Sequence, residues 1–402
     1  MRLSKTIKKI SATKKCCGCS ACVQVCPAKS ISMVDDAEGF QYPVIDEGKC
    51  LQCSKCLTVC PVINSRAAQR PLAGYAFRVR DNELLRKTSS GGFFSWAATN
   101  VLVSGGVVFG AKFDEENEVV HAFIEKQSDL DLLRRSKYVQ SRIGDVFIQV
   151  RTFLNMGRKV LFCGTPCQVK ALTLFLGHKH DNLTTIDFIC HGVPSPGVFR
   201  RYLKELAVRF HAEGSLRDLN FRDKACNESD LPCDYSFSFS FHSGNNYYSV
   251  VEPNTRNIFL RGFIADIYLR PSCYDCPAKG FTSGADYTMC DFWNFEKFFP
   301  DFPMSEIPGV SQVLIVNDKL DLKNNREDLC LPFNPSTRRL ISSVAFSSAA
   351  RTHRRHHFMR GFIRGEMVYN LVTKYARVPW WEMAYRNPRA FIGRILRRLK
   401  LK

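Results

Sequence analysis

Apolar residues gather in short runs separated by polar turns, and the spacing of those runs predicts the elements of the central part of the chain. Leu72–Val79, Gly105–Phe113, Lys159–Cys163 and Leu183–Ile189 are each the length of a buried strand. Between the first two lies Lys87-Thr88-Ser89-Ser90-Gly91-Gly92, a turn that opens an apolar helix over Phe93–Val103. A Ser/Gly turn at a helix start presents free backbone N–H groups and suits a phosphate, although many capped helices share the pattern. Ser136-Lys137-Tyr138-Val139-Gln140-Ser141 is a polar, aromatic segment after a charged helix. After the third run Gly164-Thr165-Pro166 turns the chain, with Thr165 as N-cap and Pro166 at the first helical position. After the fourth, Cys190-His191-Gly192 turns it ahead of a helix around Pro196–Leu206. Two such strand–turn–helix units imply parallel strands with both turns at one sheet edge, where α/β proteins bind ligands. Cys167 and Cys190, one in each unit, could then be neighbours in space. A thiol at a helix N-terminus is biased toward thiolate, and a buried Cys acting as a small hydrophobe is the plainer reading.

Length and composition bound this picture. A chain of 402 residues suggests two or three globular units, and 45% apolar residues exclude a largely disordered chain. The net charge of +19 is unevenly placed: residues 1–15 carry +6, residues 338–402 carry +14, and the body between them −1. The excess therefore reads as a docking feature for an anionic partner, not as the character of the interior. Near the C-terminus Trp380, Trp381 and Tyr385 precede Pro388. Phe391, Ile392, Ile395, Leu396 and Leu399 then share one helical face opposite Arg394, Arg397, Arg398 and Lys400. Such a helix suits the surface of an anionic membrane, and packing on the body is the alternative. No nucleic-acid-binding motif accompanies the charge, and no nucleic-acid partner is expected. The first fifteen residues are basic without an apolar core, so they do not read as a secretory signal. The uncharged stretch Thr88–Ala111 is long enough to span a bilayer, but its Ser and Gly content reads as a buried helix–turn–strand. A cytoplasmic protein, peripheral on the inner membrane face through its tail, is the expected location.

Eighteen cysteines in a reducing compartment mean metal or redox chemistry rather than a disulfide framework. Cys16-x2-Cys19-x2-Cys22-x3-Cys26-Pro27 recurs as Cys50-x2-Cys53-x2-Cys56-x3-Cys60-Pro61. Three thiolates at i, i+3 and i+6 wrap three corners of a four-iron cube. The fourth, at the start of a short helix, reaches across to the other cluster. The spacing therefore assigns Cys16, Cys19, Cys22 and Cys60 to one 4Fe-4S cluster and Cys50, Cys53, Cys56 and Cys26 to a second. Zinc ribbons use separated C-x2-C pairs instead. Cys17 fits neither set and is taken as a non-ligand. Leu269-Arg270-Pro271-Ser272-Cys273-Tyr274-Asp275-Cys276-Pro277 adds another C-x2-C pair, which with Cys167 and Cys190 would complete a four-Cys site for a cluster or for zinc. Cys290 is a competing ligand, and Cys163, Cys226, Cys233 and Cys330 are taken as structural.

Together these motifs, with Ser89–Gly92, Ser136–Ser141, Gly164–Gln168 and Asp291-Phe292-Trp293, resemble the beta subunits of coenzyme F420-reducing hydrogenases and dehydrogenases, in the form with a fused two-cluster ferredoxin. The resemblance covers roughly residues 16–320. It implies FAD beside a core iron–sulfur cluster. It would place Ser89, Ser90, Gly91, Gly92 and Lys137, Tyr138 and Ser141 near the flavin, and make Cys167, Cys190, Cys273 and Cys276 the ligands of a third 4Fe-4S cluster. No GxGxxG fingerprint is present, so the flavin site is not of Rossmann type. The chain departs from the family where Gly-Asp-Phe-Trp-Gly becomes Cys290-Asp291-Phe292-Trp293-Asn294, and where an expected Arg falls near Gly284. Bacterial members often accompany surface-polysaccharide genes, and the deazaflavin is not implied as substrate.

The expected architecture is an α+β and α/β multidomain chain. A basic segment over 1–15 precedes a two-cluster ferredoxin over 16–62. A mixed α/β flavin-binding domain follows in two parts, 72–150 and 151–330, and a helical basic tail spans 338–402. The expected function is an iron–sulfur flavoprotein oxidoreductase passing electrons between an external protein or reduced cofactor, the clusters, FAD and a two-electron substrate. An electron-transfer adaptor without its own substrate is the alternative.

Overall fold

The computed structural model describes residues 4–224, 235–293, 295–301, 309–336 and 340–376. Its N-terminal region opens on the helix Ser4–Ala12 and carries an antiparallel hairpin of β1 (Ile31–Asp35) and β2 (Gln41–Ile45) and two short helices, Ala21–Gln24 and Lys55–Thr58. Each repeat was expected to place its fourth cysteine at the start of a helix. The structure instead puts Cys26 and Cys60 just after these helices. Pro27 and Pro61 explain the difference, because the residue before a proline is pushed out of the helical region.

The chain then builds an eight-stranded mixed sheet from β3 (Ala73–Arg78), β4 (Val107–Phe113), β5 (Val119–Ile124), β6 (Val160–Cys163) and β7 (Leu183–Phe188), joined later by further strands. A separate antiparallel sheet follows, made of β8 (Glu213–Asp223), β9 (Ser236–Ser243) and β10 (Asn246–Pro253). The large sheet is completed by β11 (Tyr287–Asp291), β12 (Ser311–Ile315) and β13 (Leu329–Phe333), giving the order β13-β3-β12-β11-β7-β6-β4-β5. One sheet thus draws strands from both 72–150 and 151–330. Strands β4, β6, β7 and β11 are parallel neighbours, so the turns after β6 and β7 open at the same edge.

Local signals explain these elements. Helix Pro166–Leu176 starts with the predicted Pro and a full capping box between Thr165 and Gln168. Helix Pro196–Arg209 is capped by Ser195, whose hydroxyl accepts from Val198 N at 3.1 Å. The smaller sheet went unread in the sequence, although Ser236-Phe237-Ser238-Phe239-Ser240-Phe241 alternates with period two. Its phenylalanines pack with Phe199, Tyr202, Phe221 and Phe259 in the largest core cluster. Phe358, Met359, Phe362, Val368, Leu371 and Val372 join the same core. The basic C-terminal stretch therefore begins as the packed helices His353–Ile363 and Val368–Tyr375. The amphipathic helix expected after Pro388 lies outside the described residues. Among the described residues no helix is long and apolar enough to cross a membrane.

The N-terminal region is docked, not tethered. Cys17, Cys19, Ala21 and Val59 share a core with Phe147, Phe162 and Val169. Glu38 makes a two-pronged pair with Arg355, at 3.1 and 2.6 Å, and Ser195 donates to its carbonyl.

Candidate redox site

Four cavities carry the chemistry. One is lined by Cys16, Cys19, Cys22 and Cys60. A second is lined by Cys26, Cys50, Cys53 and Cys56. These are the two crossed sets that the spacing assigns. A third, at the edge where β6 and β7 end, is lined by Cys167, Cys190, Cys273 and Cys276. Cys167 stands in the first turn of helix Pro166–Leu176, Cys190 in the turn after β7, and Cys273 in the 3-10 turn Pro271–Asp275 with Cys276 just after it. Arg270 N donates to Val193 O at 2.9 Å and Cys273 N to Arg270 O at 2.9 Å, which fixes the C-x2-C turn against the β7 turn. Among the described residues no three His, Cys, Asp or Glu side chains are grouped to hold a single metal ion; the thiols stand round cavities.

The third set consists of buried thiols that resist ionisation. Burial and the neighbouring Cys273, Cys167 and Cys276 push Cys190 well above the usual thiol range. Burial raises Cys273 to about 12 and Cys276 to about 11. Four thiolates can be held together here once a bound cationic centre displaces their protons. Cys17, which fits neither ferredoxin set, lines both this cavity and that of Cys16 and Cys19, and its thiol lies beside that of Cys167. No spacing signal could have found that contact, because it forms across the docking seam.

The fourth cavity is larger, about 400 Å³, within the range of small-molecule sites. Ser89, Ser90, Gly92, Lys137, Tyr138 and Ser141 line it, as do Cys163 and Cys290. Gly91 does not; its backbone lies against the sheet, where an added Cβ would stand 2.1 Å from Phe77 O and 2.5 Å from Ser311 N. The hydroxyls of the Ser/Gly turn are already engaged: Ser89 Oγ accepts from Ser136 N at 2.7 Å, and Ser90 Oγ donates to Val310 O at 3.0 Å. Cys290 Sγ donates to Gln312 Oε1 at 3.3 Å and faces this cavity, not that of the four thiols. Cys330 sits on the edge strand β13, and Cys226 and Cys233 lie outside the described residues.

The charged lining is mostly cationic: Arg134, Arg135, Lys137 and Arg222 stand against Asp291. Arg222 holds both oxygens of Asp291, at 2.6 and 3.2 Å, and its guanidinium lies over the rings of Tyr235 and Trp293. Sequence reasoning missed Arg222 because no motif marks it. Its Nε and the Nδ1 of His121 are buried without a hydrogen-bond partner among the described residues. Burial, aided by Arg135, lowers Lys137 to about 7. Burial also lifts the Tyr138 hydroxyl to about 12, while its ring stacks on Phe263 at 4.9 Å. Phe188, Ile189, Cys190, His191, Gly192 and Val193 line this cavity and that of the four thiols, so this strand end is their common wall. On it His191 Nε2 meets Asp266 Oδ1 at 2.5 Å.

His121 gives a pH test of this wall of the core. Burial lowers its imidazole to about 4, against the pull of the Cys163 carbonyl. An unfolded imidazole titrates near 6.5, so the folded state keeps this contribution in full above that pH. It is lost as the pH falls from 6.5 through 4, by about 3 kcal/mol in all. Thermal melting from pH 7 downward is expected to fall less steeply in His121→Gln than in the parent chain. Equal slopes would count against the assignment.

Fold and thiol arrangement together define an iron–sulfur electron-transfer protein of oxidoreductase type. Residues 15–64 match the 4Fe-4S dicluster domain, and residues 157–322 match the C-terminal family of the coenzyme F420 hydrogenase/dehydrogenase beta subunit. These two regions thus match, in order along the chain, a two-cluster ferredoxin domain and the C-terminal family of the beta subunit, the two parts its motifs indicated. Among solved structures it is similar to a chain of the F420-reducing NiFe hydrogenase complex from Methanosarcina barkeri, solved as a xenon derivative. That likeness has 13% identity and a TM-score of 0.41, and covers 76% of this chain and 91% of the other. No curated protein matches the chain.

Proposed function

We propose that this chain is an iron–sulfur flavoprotein oxidoreductase. It would exchange single electrons with an external carrier protein or reduced cofactor, and electron pairs with a substrate in the 400 Å³ cavity. The observation that carries the reading is the shared wall Phe188–Val193: the four-thiol cavity and the large cavity are separated by one turn of chain. The eight ferredoxin cysteines would hold two 4Fe-4S clusters, and Cys167, Cys190, Cys273 and Cys276 a third. FAD fits the large cavity in kind, because a planar ring can lie against Tyr138, Phe188 and Phe263 while Arg134, Arg135 and Lys137 offset a diphosphate. A bound flavin supplies chemistry that works in both one- and two-electron steps.

The chain's own residues have definable parts in this. Tyr138 and Phe263, stacked on each other, would together flank one side of a ring. Arg222, held by Asp291, would orient a polar edge. His191, held by Asp266, stands where a proton could be delivered to a substrate in the cavity. Ser89 and Ser90 would act through the turn they shape, since their hydroxyls are engaged.

Anaerobically purified chain is expected to carry about twelve iron atoms, the content of three four-iron clusters, together with a flavin spectrum. Iron near eight with zinc present would assign the third set to zinc, and absence of flavin would remove the flavin half of the proposal.

A further inference from the structure

The docking seam holds two cations that the reading so far leaves without a task. Arg270 is 1% exposed and spans the seam. Its Nε donates to Cys16 O at 2.7 Å, one terminal nitrogen to Gln140 Oε1 at 2.8 Å, and the other to Gln41 O at 2.7 Å. All three acceptors are neutral. Its guanidinium lies over the rings of Tyr42 and Phe40, at 4.4 and 5.3 Å. The ionisable groups it faces are Cys16 and Cys17 on the ferredoxin side, Tyr42, and Cys273 on the core side. Lys170, 2% exposed, donates to Pro277 O at 2.8 Å and faces Cys17, Cys276, Cys60 and a third cation, Arg66.

A guanidinium cannot shed its charge in a protein, and a buried charge without a counter-charge is strongly unfavourable. Hydrogen bonds to carbonyls satisfy the N–H groups but do not neutralise the cation. Besides Tyr42 and Cys17, the groups around Arg270 able to carry negative charge are Cys16 and Cys273, thiols of two different cysteine sets. Four thiolates about a four-iron cluster make an anionic centre whose charge grows on reduction. Resting on the iron–sulfur reading above, we infer that Arg270, seconded by Lys170, is the shared counter-ion of the Cys16/Cys19/Cys22/Cys60 site and the Cys167/Cys190/Cys273/Cys276 site, and sets how readily each is reduced. Arg270 is thus a positioning and tuning residue. It attracts an added electron on either side of the seam, so neither site is favoured by its charge alone. Its hydrogen bonds to Cys16 O and to Gln140, which itself donates to Cys17 O at 2.9 Å, also hold the two sites at a constant approach.

The test is an anaerobic redox titration of the full chain, followed by electron paramagnetic resonance with iron counted, on the parent, Arg270→Gln and Arg270→Lys. At a fixed potential, Arg270→Gln is expected to lower the reduced-to-oxidised ratio of the two flanking sites about tenfold, equal to about 59 mV for a one-electron couple. Arg270→Lys should recover most of that ratio. The Cys26/Cys50/Cys53/Cys56 site, which Arg270 does not face, should stay where it was. Unmoved flanking sites in Arg270→Gln overturn the inference, as does an equal shift of the distant site, which would mark a general structural effect. Failure of Arg270→Lys to recover assigns the effect to the hydrogen bonds and overturns the counter-ion role. If Arg270→Gln sheds iron, Lys170→Gln is read in the same way: a shift in the same direction supports the inference, and none overturns it. A parent chain lacking one of the two flanking clusters fails the underlying reading before any variant is made, which separates the two failures.

Discussion

Serine in place of Cys190 is expected to remove about four of about twelve iron atoms while leaving the eight of the ferredoxin region. It should also stop electrons entered at that region from reaching an acceptor in the large cavity. Cys190 has the largest expected effect because of its position. It follows β7, faces Cys167, Cys273 and Cys276, and lies on the turn that separates the two cavities. Serine keeps the volume but is a poor iron ligand, and the remaining three thiols stay buried. Iron analysis with the optical spectrum, and dye reduction by a low-potential donor, read the two parts separately. Cys290→Ser is the paired control and should keep its iron, because Cys290 Sγ is turned to Gln312 and faces the other cavity. Full iron in Cys190→Ser would refute the four-thiol assignment.

Alanine at Gly39 is expected to slow internal electron transfer roughly a hundredfold without loss of iron, because it opens the seam between ferredoxin and core. Gly39 has φ +82, and an added Cβ would stand 2.5 Å from both the Cα and the N of Gly197. The neighbour is backbone at the first turn of helix Pro196–Arg209, which cannot swing aside. Left-handed strain of about 1–2 kcal/mol adds to overpacking of about 1–3 kcal/mol. A total near 3 kcal/mol shifts a docking equilibrium by roughly two powers of ten. The substitution lies on the hairpin between β1 and β2, away from the eight thiols, so the clusters should still assemble. Rapid-mixing measurement of electron passage, with iron counted on the same sample, decides the matter. An unchanged rate would mean that the seam does not depend on this contact.

Several of these placements were legible in the chain alone because they rest on local chemistry. Cysteine spacing proposed two crossed ferredoxin sets, and the structure gathers each set round one cavity, with Cys17 added to the first. Thr165 and Pro166 announced the helix that carries Cys167, since capping depends on neighbours a few positions away. Other features had no local mark. Arg222 enters the large cavity from β8, part of a sheet whose period-two pattern was overlooked, and its partner Asp291 lies on β11. Gly91 stood in a motif that reads as ligand-facing, yet the close pass of Phe77 and Ser311 gives it a packing role instead.

The amino-acid order by itself marked the two four-cysteine repeats, the strand–turn–helix units, and the confinement of the excess charge to the two ends. Each follows from spacing, capping or composition, properties that need no knowledge of distant contacts. The tertiary structure alone decided what the ferredoxin region touches. It brought Cys17 against Cys167, buried Arg270 between Cys16 and Cys273, gave Cys290 to the large cavity, and folded the start of the basic C-terminal stretch into the core. The contacts of Cys17 with Cys167 and of Cys16 with Arg270 join residues more than a hundred positions apart across a packed interface. They are set by which surfaces can bury one another and still satisfy their polar groups, and no window along the chain contains both partners.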